Sequence, residues 1–210
     1  MRLQGKSAIV TGAAGGIGRE IAQVFAREGA SVAIADLDLD AASATAAEIS
    51  AGGGRAIGVA MDVANEEAVA AGVAATVAAF GGVDILVSNA GIQIVRPLEE
   101  FTFAEWKKIN AIHLDGAFLT TRACLPPMYG SGRGGSIIYF TSDAGIYGSA
   151  GQPNYSAAHN GKLGLMRSNA RALERYGVTC NVIAPSASTR MTDRGLAVER
   201  EGPAPSLSAT

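Results

Sequence analysis

The segment Thr11-Gly12-Ala13-Ala14-Gly15-Gly16-Ile17-Gly18 joins a short β-branched run to a helical pattern through four glycines. Glycine lets a backbone come close to a pyrophosphate, and a helix N-terminus offers free N–H groups and a favourable dipole to the same anion. Tight strand–helix packing alone can also select such a cluster. Here a strand precedes it, a helix follows, and an acidic residue, Asp36, ends the next strand 18 positions beyond Gly18. A carboxylate at that point can accept hydrogen bonds from the 2′- and 3′-hydroxyls of a ribose and would repel a 2′-phosphate. No basic residue interrupts 12–18, so the pattern predicts a site for NAD in preference to NADP. The alternative for Asp36 is that it caps the following helix, work that Asp38 or Asp40 could also do.

The elements that must position these groups alternate along the chain. Strands are predicted at 7–11, 31–36, 56–61, 85–88, 136–140 and 178–183, and helices at 17–28, 40–50, 66–80, 103–125 and 155–176, with glycines at 29, 52–54, 81–82 and 177 closing the helices. Strands alternating with helices predict an α/β fold, a single doubly wound parallel-sheet (Rossmann-like) domain of six strands in the order 3-2-1-4-5-6 over residues 1–200. Residues 201–210 (EGPAPSLSAT) read as a flexible tail. The chain of 210 residues is 48% hydrophobic and 17% charged, and its net charge of −2 gives no general attraction to nucleic acid or an anionic membrane. The stretch 69–80 is too short and too weakly apolar to span a bilayer, and no signal-peptide core precedes the first glycines. Two cysteines far apart, Cys124 and Cys180, offer neither a disulfide framework nor metal-ligand spacing. The expectation is a soluble, cytoplasmic protein with no metal site.

With TGAAGGIG, Asn89-Ala90-Gly91 after the fourth strand, and Ser142 thirteen residues before Tyr155, the chain resembles the short-chain dehydrogenase/reductase family from about Lys6 to Thr192. Three stretches, His113-Leu114-Asp115-Gly116, GIYGSAGQPNYSAA (145–158) and NVIAPSASTRMT (181–192), are most similar to the (3R)-hydroxyacyl-CoA dehydrogenase module of multifunctional β-oxidation enzymes and its single-domain bacterial relatives. The resemblance implies that Gly12, Gly16, Ile17 and Gly18 form the cofactor turn. By the same likeness Asp62-Val63 lies near the adenine and Asn89-Ala90-Gly91 lines the cofactor channel. Tyr155, His159, Pro185 and Thr189 are then expected at the nicotinamide end. It further implies a homodimer or homotetramer built through the long fourth and fifth helices.

The chemistry implied is hydride transfer between a carbinol carbon and nicotinamide, which needs a base for the hydroxyl proton. Tyr155 matches the family's base and Ser142 the residue that hydrogen-bonds the substrate oxygen. His113 stands where the family uses a backbone carbonyl to hold a relay water; in an apolar stretch it also reads as a satisfied core histidine. The family pattern is Tyr-x-x-x-Lys, but here it is Tyr155-Ser156-Ala157-Ala158-His159. The lysine bridges the ribose hydroxyls and lowers the tyrosine pKa from ~10; a histidine, with a reference pKa of ~6.5, is mostly uncharged near neutrality. His159 can donate one hydrogen bond to the ribose but leaves Tyr155 protonated. Lys162 follows on the same helix face, where the resembling modules carry an apolar residue. It could reach back toward the ribose, or run to solvent or a subunit interface.

Family members continue for forty or more residues through a substrate lid, a further helix and a seventh strand, so the family's last strand is expected to be absent here. Two functions stand side by side. One is an NAD-dependent oxidoreductase acting on a small-molecule secondary alcohol or ketone, in particular a 3-hydroxyacyl thioester, with impaired rate and an alkaline-shifted optimum. The other is an NAD-binding protein with little or no catalysis.

Overall fold

Short runs of small and β-branched residues build a six-stranded, all-parallel sheet in the order β3-β2-β1-β4-β5-β6 in the computed structural model, which describes residues 1–185. The strands are β1 Ser7–Thr11, β2 Ser31–Asp36, β3 Arg55–Ala60, β4 Ile85–Ser88, β5 Gly135–Phe140 and β6 Val178–Ile183. The predicted order holds, and every predicted strand lies within one residue of its observed bounds. Alternate side chains of a strand face opposite ways. Ile9 therefore enters a core with Val59, Val69, Cys124 and Met128, while Ala8 and Val10 enter another with Ala22, Ala46 and Ile49. Helices α1 (Gly16–Arg27) and α2 (Leu39–Ala51) cover the second face. The first face is covered by α3 (Glu66–Phe80), α5 (Gly116–Gly130) and α7 (Pro153–Leu173).

Local chemistry sets the helix ends. Asp38 and Asn65 cap α2 and α3 by accepting from the Ala41 and Ala68 amides, at 3.0 and 2.9 Å. Helix α4 (Phe103–Asn110) begins with a reciprocal Thr102–Glu105 capping box. The continuous helix predicted over 103–125 is instead α4, a π-helical turn Ala111–Asp115, and then α5. Helix α5 also runs on through Pro126 and Pro127 to Gly130, held by the buried Cys124 and Met128. The short helix α6 (Asp143–Tyr147), started by the Ser142 hydroxyl accepting from the Ala144 amide, was not anticipated. Thr189 and the tail at 201–210 lie outside the described residues, as do Ser186 and Arg190–Thr192.

At the amino end of the strands, opposite the glycine turn, Asp84 is only 3% exposed. It accepts from the Ser7 amide and hydroxyl (2.9 and 3.2 Å) and from Arg133 Nε and Nη2 (3.1 and 2.9 Å). Burial alone would raise the Asp84 carboxyl, but the Ser7 amide and the Arg133 guanidinium outweigh it and hold the pKa below the ordinary aspartate range. A depressed folded-state pKa contributes stability above the unfolded value that is lost as pH falls through the folded one. Asp84→Ala should therefore cost about 2–3 kcal/mol at pH 7. Urea denaturation repeated at pH 3 should show a much smaller difference.

Candidate active site

The glycine turn lies at the carboxyl end of β1. Gly12 (φ 65) and Gly16 (φ 56) are left-handed, a conformation that side chains resist. A Cβ on Gly12 would lie 2.8 Å from the Ala90 Cα, and one on Gly18 would lie 2.7 Å from Asn89 Nδ2. Gly16 instead faces open space. No side chain caps α1, whose N-cap is Gly15, so its first amides remain available to an anion. Ile17 is half-buried and packs into the core behind the turn.

Asn89 holds this turn against β4. Its Nδ2 donates to the Thr11 and Gly12 carbonyls (2.9 and 3.3 Å), while the Asn89 and Ala90 amides both donate to Thr11 Oγ1 at 3.0 Å. Asp36, at the end of β2, accepts from the Ala14 amide at 3.0 Å and the Asp38 amide at 3.3 Å. Asp38 does the capping of α2, so Asp36 belongs to the cradle, with acceptor capacity left for a ribose. Asp62 is exposed after β3, and Val63 is buried against Gly116, where a Cβ would approach it to 2.9 Å. Pro185 lies just beyond β6, half-buried.

A second group of side chains gathers at the ends of β4 and β5. Ser142 follows β5, Tyr155 stands in the first turn of α7, and His159 lies one turn later. His113 enters from the π-helical turn. Ring centroids are 4.1 Å apart for Tyr155 and His159, 4.6 Å for His113 and His159, and 5.1 Å for His113 and Tyr155. His113 is anchored through Nε2, which lies 3.1 Å from the Ile92 amide and 2.8 Å from its carbonyl; the tautomer decides which bond forms. A Cβ at Gly91 would collide with the His113 ring, and one at Gly145 would lie 2.6 Å from the His159 Cβ. These two glycines let the rings close up.

The electrostatics of this cluster are unusual. Burial raises the Tyr155 phenol above its ordinary value, and hydrogen bonding to Ser142 only partly offsets this. Burial, then the nearby Lys162, push His113 down to about 3; the same causes, with His113 added, push His159 down to about 2. Both imidazoles are neutral at pH 7. Lys162 does not run to solvent: it is 1% exposed and donates to the Phe140 carbonyl at 2.9 Å. It is not among the groups acting on Tyr155.

His113 Nδ1, both ring nitrogens of His159 and Asn154 Nδ2 are buried without a hydrogen-bond partner. Unpartnered buried polar atoms are costly. Those of His159 fit a hydroxylated ligand entering between the ring cluster and the glycine cradle. Sequence reading recognised Tyr155, His159 and Lys162 on one helix face, but not the depth of Lys162, nor Asn154 and Gly145. The helical spacing of 155, 158, 159 and 162 carried the only signal for that burial. Among the described residues no three His, Cys, Asp or Glu side chains gather as metal ligands, and no helix is long and apolar enough to cross a membrane.

The doubly wound parallel sheet and the glycine turn at the end of its first strand together define a Rossmann-like protein. The model for short chain dehydrogenases matches residues 6–197, and the chain belongs to that family. It is 41% identical to the sorbitol dehydrogenase of Cereibacter sphaeroides over 88% of this chain and 71% of that protein. It is 42% identical to the hydroxyacyl-CoA dehydrogenase ChsB1 of Mycobacterium tuberculosis over 90% of this chain and 63% of that protein. A crystal structure of a short chain dehydrogenase from Mycobacterium avium superimposes with a TM-score of 0.86 at 41% identity, covering 91% of this chain and 70% of that one. The expected likeness to hydroxyacyl-CoA dehydrogenases is thus borne out, and the family is one of oxidoreductases.

Gly145→Ala tests the ring cluster without reference to any ligand. The added methyl meets the His159 Cβ at 2.6 Å and the His159 backbone carbon at 2.9 Å. A loss of about 1–3 kcal/mol is expected in urea denaturation.

Proposed function

We propose that this protein is an NAD-dependent oxidoreductase that interconverts a secondary alcohol and a ketone, with Tyr155 as general acid/base. The observation that carries the reading is the placing of Ser142, just after β5, and Tyr155, in the first turn of α7, at the same end of the sheet as the Gly12–Gly18 cradle and Asp36. Bound NAD supplies the hydride acceptor. The free amides of α1 would receive the pyrophosphate, Asp36 the adenine-side ribose hydroxyls, and the surface formed by Asp62 and Val63 the adenine. Asn89, Ala90 and Gly91 would line the way to the nicotinamide end, where His159 would donate to the second ribose, with Pro185 just beyond β6. Ser142 donates to the substrate oxygen while Tyr155 accepts its proton; in the reverse direction Tyr155 returns it.

NAD is favoured over NADP because Asp36 would repel a 2′-phosphate. The substrate class favoured is the 3-hydroxyacyl thioester, on the strength of the hydroxyacyl-CoA dehydrogenase relative, with a polyol as the competing class from the sorbitol dehydrogenase. Exposed Phe103, Trp106 and Phe118 on α4 and α5 are in keeping with a homodimer or homotetramer formed through those helices. A second reading, an NAD-binding protein with little catalysis, is favoured by one observation: among the described residues no cation acts on Tyr155 to draw its proton away.

A base works deprotonated, and the Tyr155 pKa lies above its ordinary value. Below that pKa the active fraction grows about tenfold per pH unit. NADH formation from 3-hydroxyacyl-CoA should therefore be slow at pH 7 and rise about tenfold per unit toward pH 9. Tyr155→Phe should abolish it, and His159→Lys should move the profile toward neutral pH. Activity confined to His159→Lys would sink the oxidoreductase reading in favour of the binding one. Binding of NADH, followed by fluorescence, should survive Tyr155→Phe.

A further inference from the structure

Lys162 is a cation in the wrong medium. It is the second-largest side chain among those fully buried, after Tyr139. Its amine has a single hydrogen-bond partner, the Phe140 carbonyl. Among the described residues no carboxylate pairs with it; the ion pairs all involve Lys6 or arginines. An apolar side chain would fill this position at lower free energy, because an unpaired buried charge is strongly unfavourable. Such groups concentrate at functional sites.

We propose that Lys162 is a positioning residue of this site: its buried amine braces the end of β5 that leads to Ser142 and places a cation, without a carboxylate partner among the described residues, on the helix that carries Tyr155 and His159. Phe140 is the last residue of β5, and Ser142 follows two residues later as the cap of α6. A bond from Lys162 to the Phe140 carbonyl therefore ties α7, which carries Tyr155, to the strand end that aims Ser142. On α7 itself the titratable neighbours are Tyr155 and His159, and the π-helical turn contributes His113. Strand β5 contributes Tyr139, whose hydroxyl is taken up by Thr121 and Asn169, and β6 contributes the buried Cys180. On α4, Lys107 and Lys108 are exposed and Glu105 is taken up by Thr102 and Arg96; on α6, Asp143 is exposed. The π-helical turn also carries Asp115, which is exposed, and among the described residues no carboxylate pairs with the amine. Burial accordingly brings the amine down to about 7, so the charge is present below neutrality and lost above it.

A base whose folded pKa lies below its unfolded value of ~10.5 leaves the native state holding fewer protons than the unfolded one between those limits. Native stability then rises with pH across that window, and below it the burial penalty is present in full. Lys162→Met, of similar length and uncharged, removes the penalty. The variant should melt higher than the native protein at pH 6, with the difference shrinking toward pH 10. A variant that melts lower at pH 6 would mean that the amine is a structural brace alone, and would overturn the proposal.

The chain has only two histidines, so their Cε1–H resonances report the site directly. In the native protein neither ring should protonate above pH 5, and both signals should inflect near pH 7 as Lys162 titrates. The inflection should vanish in Lys162→Met. Its persistence there, or a ring titrating near its ordinary ~6.5, would also overturn the proposal. The effect on turnover rests on the oxidoreductase reading: the native pH profile should bend near 7 and that of Lys162→Met should not, with the KM for NAD unchanged. A native protein that turns over nothing refutes the oxidoreductase reading, while the melting and NMR results still decide the place of Lys162.

Discussion

The cradle depends on one short contact, the closure of β1 against β4 by Asn89 and Thr11. Four hydrogen bonds between these two strand ends leave no room for side chains between the turn and the Ala90 backbone. Gly12 and Gly18 follow from that closeness, because a Cβ at either would strike Ala90 or Asn89. The next residue after Ala90, Gly91, continues the same crowding toward the ring of His113. A single polar side chain therefore sets the height of the turn, the start of α1 and the wall of the second site. Thr11 does the reciprocal work, since its hydroxyl takes two amides and itself lies 3.3 Å from the Val87 carbonyl.

Charge in the second site is arranged differently from the residues that flank it. A tyrosine that must give up its proton near neutrality needs a cation close to its oxygen. Here the position one turn beyond Tyr155 is an imidazole pushed neutral by burial, and the amine one turn further is directed into the sheet. The positive charge of Lys162 thus adds only to the burial that keeps two imidazoles unprotonated. Ser142 is left as the group that favours the phenolate. Neutral His159 retains both its donor and its acceptor, which suits it to hydroxyl recognition more than to electrostatic activation.

The sheet was legible because each of its strands is a short apolar run bounded by glycine or by a capping residue, and a parallel sheet covered on both faces selects such runs. Asp38, one of the residues offered as a cap, does start its helix. What escaped was non-periodic. A π-helical turn over Ala111–Asp115 inserts no residue type that a period would betray, so α4 and α5 read as one helix. The helix predicted to end at 125 runs on through Pro126 and Pro127, with Cys124 and Met128 buried on either side of them. Helix α6 is too short to show a pattern. In the site, spacing revealed the shared face of Tyr155, His159 and Lys162, but spacing gives a direction around a helix and not a depth. The burial of Lys162 follows from α4, the π-helical turn and β6 packing against α7, a tertiary fact.

The same closure explains how a site with two imidazoles can pack at all. His159 and His113 each present a flat ring where neighbouring backbone must pass, and the passing residues are Gly145 and Gly91. A third small residue, Gly116 beneath Val63, lets α5 approach the segment after β3 at the same level. Both imidazoles at this end of the sheet thus face a glycine. Substituting a longer amine for His159 would thus change charge and reach without demanding new space beside Gly145, because the crowded atom there is the His159 Cβ, which any replacement shares. The constraint at that position is on the backbone crossing of α6 and α7, and the chemistry carried beyond the Cβ is free to differ from the rest of the family.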